Sequence, residues 1–209
     1  GFASPPHIHN VTYRGLVIEG LVHNDDPAAA NMWLPAGSFW TQPAGESHIT
    51  AAKGTSNLAY IEIQDGPYLV KPADEAFDNG ERPINVDPSN FVWLDASNID
   101  WLKLPDSAET GTTPQMAFLW GNPHPGELSG TLLKLPAGFS GEIDGNGSPL
   151  RAVVIQGAVG HSQTGSIEEK ALPSGSYFGS TVSTIHKVTN RTDGESIIYI
   201  RSRGSFTVR

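Results

Sequence analysis

The 209 residues carry 13 Lys and Arg against 22 Asp and Glu, a formal charge of −9, and the few cations do not cluster, which disfavours nucleic acid or an anionic membrane as partner. Cysteine is absent, so disulfides, zinc ribbons and thiol catalysis are excluded. Hydrophobic residues make up 38% of the chain, with 23 Gly and 16 Pro; this suits an all-β protein rich in turns, and no stretch approaches the roughly 18 apolar residues of a membrane span.

Residues 1–10 are turn-rich and contain Pro5-Pro6-His7-Ile8-His9. In an extended strand, residues i and i+2 share a face, so His7 and His9 can aim at one point. Residues 13–19 read as a strand ended by Gly20, and Leu21-Val22 resumes it before the turn Asn24-Asp25-Asp26-Pro27. Further strands are expected at 31–34, 38–42 and 57–63, with turns at Pro35-Ala36-Gly37 and Pro43-Ala44-Gly45. The second of these turns leads to His48. Residues 65–92 change to polar turn clusters, the best candidate for a connection between domains. Strands are expected again at 91–94, 99–104, 115–120 and 130–135, with a polar loop at 106–113.

An internal repeat then sets the architecture. Gly1, Phe2, Arg14, Val17, Ile18, Gly20 and Val22 fall without gaps on Gly138, Phe139, Arg151, Val154, Ile155, Gly157 and Val159. Leu34-Pro-Ala-Gly-Ser-Phe39 falls on Leu172-Pro-Ser-Gly-Ser-Tyr177, His48 on His186, and Tyr60-Ile61 on Tyr199-Ile200. The second copy has leading strands within 115–135 that the first lacks. Together with the abrupt start at Gly1-Phe2, this leads us to expect that an upstream segment has been removed or left out.

These runs resemble the cupin superfamily. Gly1-x5-His7-x-His9-x3-Tyr13-x6-Gly20 follows the spacing of its first motif, with Tyr13 where the family has glutamate. Gly37-x5-Pro43-x-Gly45-x2-His48 follows its second, with Ala52 where the family has asparagine. In the second copy the His-x-His is Asp144-Gly145-Asn146 and the Pro-x-Gly is Thr181-Val182-Ser183. The chain looks like a bacterial bicupin of a family of unassigned function, similar to ChrR-type and acetylacetone-dioxygenase-like cupins. The resemblance implies two jelly-roll β-barrels in tandem: a metal-competent module over 1–72, a connecting segment over 73–90 and a module with a degenerate metal motif over 91–209.

In such a barrel side chains alternate in and out, so Tyr13, Gly15 and Val17 should share the face of His7 and His9, with Arg14, Leu16 and Ile18 opposite. Trp40 and Gln42 should point in with His48. The expected site is thus a divalent metal (Fe, Zn, Ni, Co or Mn) on His7, His9 and His48, with Tyr13 and Gln42 in catalytic positions and Val17 and Trp40 lining a substrate pocket. Tyr13 is a candidate fourth ligand, an outer hydrogen-bond donor, or a core aromatic. His23, His124 and His161 are expected in solvent, and Glu62 as well. His186 lacks His partners in its motif, leaving Asp144 as its candidate co-ligand. The expected function is a metal-dependent dioxygenase, hydrolase or isomerase acting on a small oxygenated molecule. The alternative is a non-catalytic metal-binding or sensor cupin related to ChrR. A homodimer, no nucleic acid and no membrane partner are expected. The sequence does not choose a compartment: a soluble protein of the cytoplasm, or of the periplasm or exterior if a signal peptide was removed, is compatible with it.

Overall fold

A computed structural model of the chain describes residues 1–29, 32–103, 113–181 and 184–209. They are β-strands and loops, with two 3-10 turns at Ala73–Glu75 and Pro88–Asn90 and no helix long and apolar enough to cross a membrane. The chain divides into two compact units, Gly1–Phe91 and Val92–Arg209.

The first unit holds β1 (Phe2–Ala3), β2 (His7–His9), β3 (Tyr13–Asp25), β4 (Leu34–Pro35), β5 (Phe39–Gln42), β6 (Ile49–Ile63), β7 (Val70–Pro72) and β8 (Ile84–Val86). Its main sheet runs β1-β6-β3-β5-β8, with β4 on β3, and β2 pairs separately with β7. Tyr13, Val17, Val22, Leu34 and Trp40 form its inner cluster, with Ala59 and Tyr68 against it. Full burial of side chains of this size contributes about 1.5–3 kcal/mol each.

Strand β3 does not end at Gly20 as expected. It runs on to Asp25, and the glycine marks a break in its register with β6. Gly20 has φ +84°, and a Cβ there would meet Asn57 Oδ1 at 2.2 Å. That oxygen accepts from the Leu21 N–H at 2.9 Å. A bulge glycine of this kind re-aims the strand.

The second unit holds β9 (Gln115–Gly121), β10 (Leu128–Leu135), β11 (Ser140–Asp144), β12 (Leu150–Gln156), β13 (Ala158–Gln163), β14 (Lys170–Pro173), β15 (Tyr177–Ser180), β16 (Ile185–Asn190), β17 (Ser196–Arg203) and β18 (Thr207–Val208). They form two five-stranded sheets, β15-β12-β17-β10-β9 and β14-β13-β16-β11-β18. Leu133, Val154 and Ile198 from the first sheet meet Ile143, Val188 and Val208 from the second in one core. The duplication is visible here: β12 and β13 repeat β3, and Gly157, at φ +80°, separates them where Gly20 interrupts β3.

Three expectations need correction. The segment 73–90 is not a free connection, because it carries β8, which pairs with β5 and belongs to the first unit. Residues 91–94 and 99–103 form no strands. Only isolated bridges occur there, Leu94 to Met116 and Leu102 to Val208, because Asp95-Ala-Ser-Asn98 closes a tight turn through its own side chains. The expected strand at 31–34 is reduced to Leu34–Pro35. Asn31, Leu104, the loop from 106 to 112, and Val182 and Ser183 of the second copy's motif lie outside the described residues.

Candidate metal centre

Strand β2 fixes two of the three histidines. Ile8 is fully buried on one side, which turns His7 and His9 to the other. His48 is brought in by backbone pairing: the His7 N–H donates to the His48 carbonyl and the His48 N–H to that of His7, each at 3.0 Å. The Pro43-Ala44-Gly45 turn makes this possible, since the Gly45 N–H donates to the His9 carbonyl at 2.8 Å. Gly45 has φ +78°, and a Cβ there would strike the Phe77 carbonyl at 2.3 Å. Ring centroids of His48 lie 4.3 Å from His7 and 5.2 Å from His9. One nitrogen from each of the three falls within 4.8 Å of the others.

The remaining ring nitrogens are anchored to the backbone. Nδ1 of His7 lies 2.9 Å from the Pro5 carbonyl, Nδ1 of His9 3.2 Å from Leu69, and Nδ1 of His48 3.0 Å from Glu46. A carbonyl only accepts, so in each case Nδ1 carries the proton and Nε2 keeps its lone pair. This is how metal-binding imidazoles are oriented in proteins. Burial pushes the His9 ring down to about 4, with the neighbouring His7 adding to the effect and the Leu69 carbonyl opposing it. Burial likewise lowers His48 to about 4 against the bond to Glu46. Both rings are therefore neutral at pH 7, the form that binds a cation. The residues fit a divalent metal of the Fe, Zn, Ni, Co or Mn type.

Around His48 the polar side chains close a ring. Tyr13 Oη lies 3.2 Å from His48 Nε2 and donates to Asn24 Oδ1 at 2.8 Å. Asn24 Nδ2 donates to Gln42 Oε1 at 2.8 Å, and Gln42 Nε2 to the Glu46 carbonyl at 3.2 Å. That carbonyl is the one that anchors His48. Thr50 Oγ1 adds a donor to Asn24 at 2.7 Å. Burial pushes the Tyr13 phenol up to about 12, so it keeps its proton at neutral pH. On the other flank Tyr68 stacks on His9, and its hydroxyl reaches His9 Nε2 at 2.9 Å. Burial also raises the Tyr68 phenol, with Tyr13 as the lesser cause. Trp40 lies across Gly15, its partner in the β3–β5 register, and a Cβ on Gly15 would come within 2.0 Å of the indole. Trp40 Nε1 is buried close to the Tyr13 hydroxyl, where its N–H opposes the effect of burial on that phenol.

The site thus brings together His7, His9, His48 and Tyr13, with Gln42 linked to them through Asn24 and Glu46, and Val17 and Trp40 packed with Tyr13. Tyr68, Asn24 and Thr50 were not foreseen. Tyr68 sits in the polar stretch read as a connection, and Asn24 in a predicted turn. The signal for Asn24 was the alternation Val22, Asn24 beyond the bulge. Several expectations of exposure fail. His23 is buried, its Nδ1 2.9 Å from the Met32 carbonyl. Glu62 is buried opposite Arg14 in the β3–β6 register, so it shares Arg14's face and not that of Tyr13. His161 is buried, and its Nε2 lies 3.0 Å from His186 Nδ1; His186 therefore has a histidine partner after all, contributed by β13. Asp144 instead accepts from the Asn146 N–H within its own turn. His124 is exposed.

A family model described as a domain of unknown function, DUF4437, matches residues 1–209. The chain belongs to the DUF4437 family. No curated protein sequence matches this DUF4437 chain. Solved structures share its fold. A Nostoc punctiforme protein described only provisionally as a dioxygenase is 14% identical with a TM-score of 0.66, the match covering 98% of this chain and 66% of that one. Salicylate 1,2-dioxygenase from Pseudoaminobacter salicylatoxidans, in complex with gentisate, is 14% identical with a TM-score of 0.58 over 97% of this chain and 66% of its own. Procruciferin, an 11S globulin from Brassica napus, is 9% identical with a TM-score of 0.55 over 99% and 75%. The DUF4437 chain thus spans just under two thirds of the two dioxygenase-type structures. Its fold is that of a bicupin, two cupin barrels in tandem. A dioxygenase and an 11S globulin share that fold, so the fold alone assigns no activity.

Proposed function

We propose that the first module is a metal-dependent, dioxygenase-like enzyme centre for a small oxygenated organic molecule. The observation that carries this reading is the set of three histidines whose Nδ1 atoms are all held by backbone carbonyls, in a cluster whose candidate ligand atoms lie within 4.8 Å of one another. A divalent ion held by His7, His9 and His48 would supply a Lewis acid for the oxygens of a substrate. Tyr68 places a neutral phenol donor on one side of that point, and Tyr13, whose proton goes to Asn24, presents its phenol oxygen as an acceptor on the other. Gln42 and Asn24 act as positioning residues, since they hold Tyr13 and the Glu46 carbonyl rather than a reacting atom. Val17 and the Trp40 ring exclude water.

The test is elemental analysis of protein purified without a chelating tag, followed by dioxygen-uptake assays with β-diketones. One metal per chain and uptake that disappears in His48→Ala support the reading. A bound metal with no turnover of any such compound favours the non-catalytic binder, and full metal content in His48→Ala refutes the site itself.

A further inference from the structure

The second unit contains a cavity of about 370 Å³ lined by His161, Glu168, Lys170, Leu172, Tyr177 and Phe178, with Gly179 and polar residues of the 162–166 loop. It is remote in sequence from the three-histidine cluster and unused by it. Its inner wall ends in a polar chain set into the core. His161 is 8% exposed and His186 fully buried. His161 Nε2 lies 3.0 Å from His186 Nδ1, and His186 Nε2 3.0 Å from Ser180 Oγ. The Phe178 ring packs on both imidazoles, 4.4 and 5.2 Å between centroids.

Burial lowers both histidines, His186 to about 4, and Lys170 lowers His161 further. The rings are therefore neutral, and a single proton lies between them. If His186 Nδ1 donates, the Ser180 hydroxyl donates to His186 Nε2, and His161 must carry its own proton on Nδ1. If His161 donates, the whole chain reverses and Nδ1 becomes an acceptor. The chain can thus present either polarity at its open end, where His161 Nδ1 has no partner among the described residues. A buried polar chain is costly unless every member is satisfied, so a ligand atom at this end completes it. Lys170 makes no ion pair among the described residues and adds a positive charge beside His161. Leu172 and Phe178 offer an apolar wall.

We propose that this cavity binds a small organic monocarboxylate. One carboxylate oxygen accepts from His161 Nδ1 and the other meets the Lys170 ammonium, while the apolar body lies against Phe178 and Leu172. Glu168, exposed on the lining, rejects a second negative charge, which restricts the site to monoanions. His186 and Ser180 are positioning residues that set the donor polarity of His161.

The probe is benzoate, with neutral benzamide and dianionic phthalate as comparators, titrated calorimetrically into the full chain carrying His48→Ala. This removes carboxylate binding at the three-histidine cluster, and chelator-treated wild-type chain serves if that variant does not fold. The proposal expects saturable binding of one benzoate, with benzamide and phthalate about tenfold weaker or worse. Lys170→Gln should weaken benzoate about tenfold, and Glu168→Gln should bring phthalate up towards benzoate. Absence of saturation by about 10 mM benzoate, equal binding of benzamide, or an unchanged affinity in Lys170→Gln overturns it. None of these results bears on the metal centre, which His48→Ala has already removed.

Discussion

Tyr68 lies flat on His9, the two ring centroids 4.3 Å apart with planes at 15°, and its hydroxyl points at His9 Nε2 from 2.9 Å. That nitrogen is the one a metal would take. The hydroxyl and the metal therefore compete for one lone pair. Tyr68→Phe keeps the stack and removes the competitor, so metal affinity should rise about fivefold, the worth of one hydrogen bond of about 1 kcal/mol. Competition against a fluorescent chelator measures it. An unchanged affinity would mean that the hydroxyl swings away at no cost.

Asn24 is the member of the ring around His48 with most partners. Asn24→Ala leaves the Tyr13 and Thr50 hydroxyls and the Gln42 amide oxygen without their bonds in a buried site. A loss of about 2–4 kcal/mol is expected, read as a lower denaturant midpoint for the first unit. A shift below about 0.5 kcal/mol would show that the ring is not cooperative.

Gly15 is required by its neighbour. Gly15→Ala forces a methyl group into the Trp40 indole, and overpacking of this kind costs about 1–3 kcal/mol. The near-ultraviolet dichroism of the tryptophans should change with it.

Acid should unfold the metal-free chain early. His9, His48 and His186 titrate near 4 when folded, against about 6.5 in an unfolded chain. Between these values the unfolded state binds more protons, so stability falls as pH drops from about 6.5 towards 4 and levels off below. Urea midpoints measured across that window check this. Replacing His186 with Phe should flatten the slope, and a slope that does not change would place the titration elsewhere.

Much of the first module was readable because its determinants are local. The i, i+2 alternation of His7 and His9, the Pro43-Ala44-Gly45 turn and the match to a second copy need only the chain itself. What escaped depends on contacts distant in sequence. Tyr68 reaches His9 only because β7 pairs with β2, and no period marks that three-residue strand. His161 and His186 look like solitary polar residues until β13 and β16 pair side by side. The segment 73–90 reads as a linker because its strand β8 is three residues long and flanked by prolines and turn residues.

His48 and His186 occupy the same place in the two copies, and the difference between them lies in what holds each ring nitrogen. In the first copy Nδ1 is tied to the Glu46 carbonyl and Nε2 is left for a cation. In the second, Nδ1 faces His161 and Nε2 faces Ser180, so both are occupied by side chains. A duplicated module can therefore change occupation without replacing its central residue. A histidine on the neighbouring strand re-tethers the imidazole, and a ring poised for a cation becomes a link in a chain of hydrogen bonds.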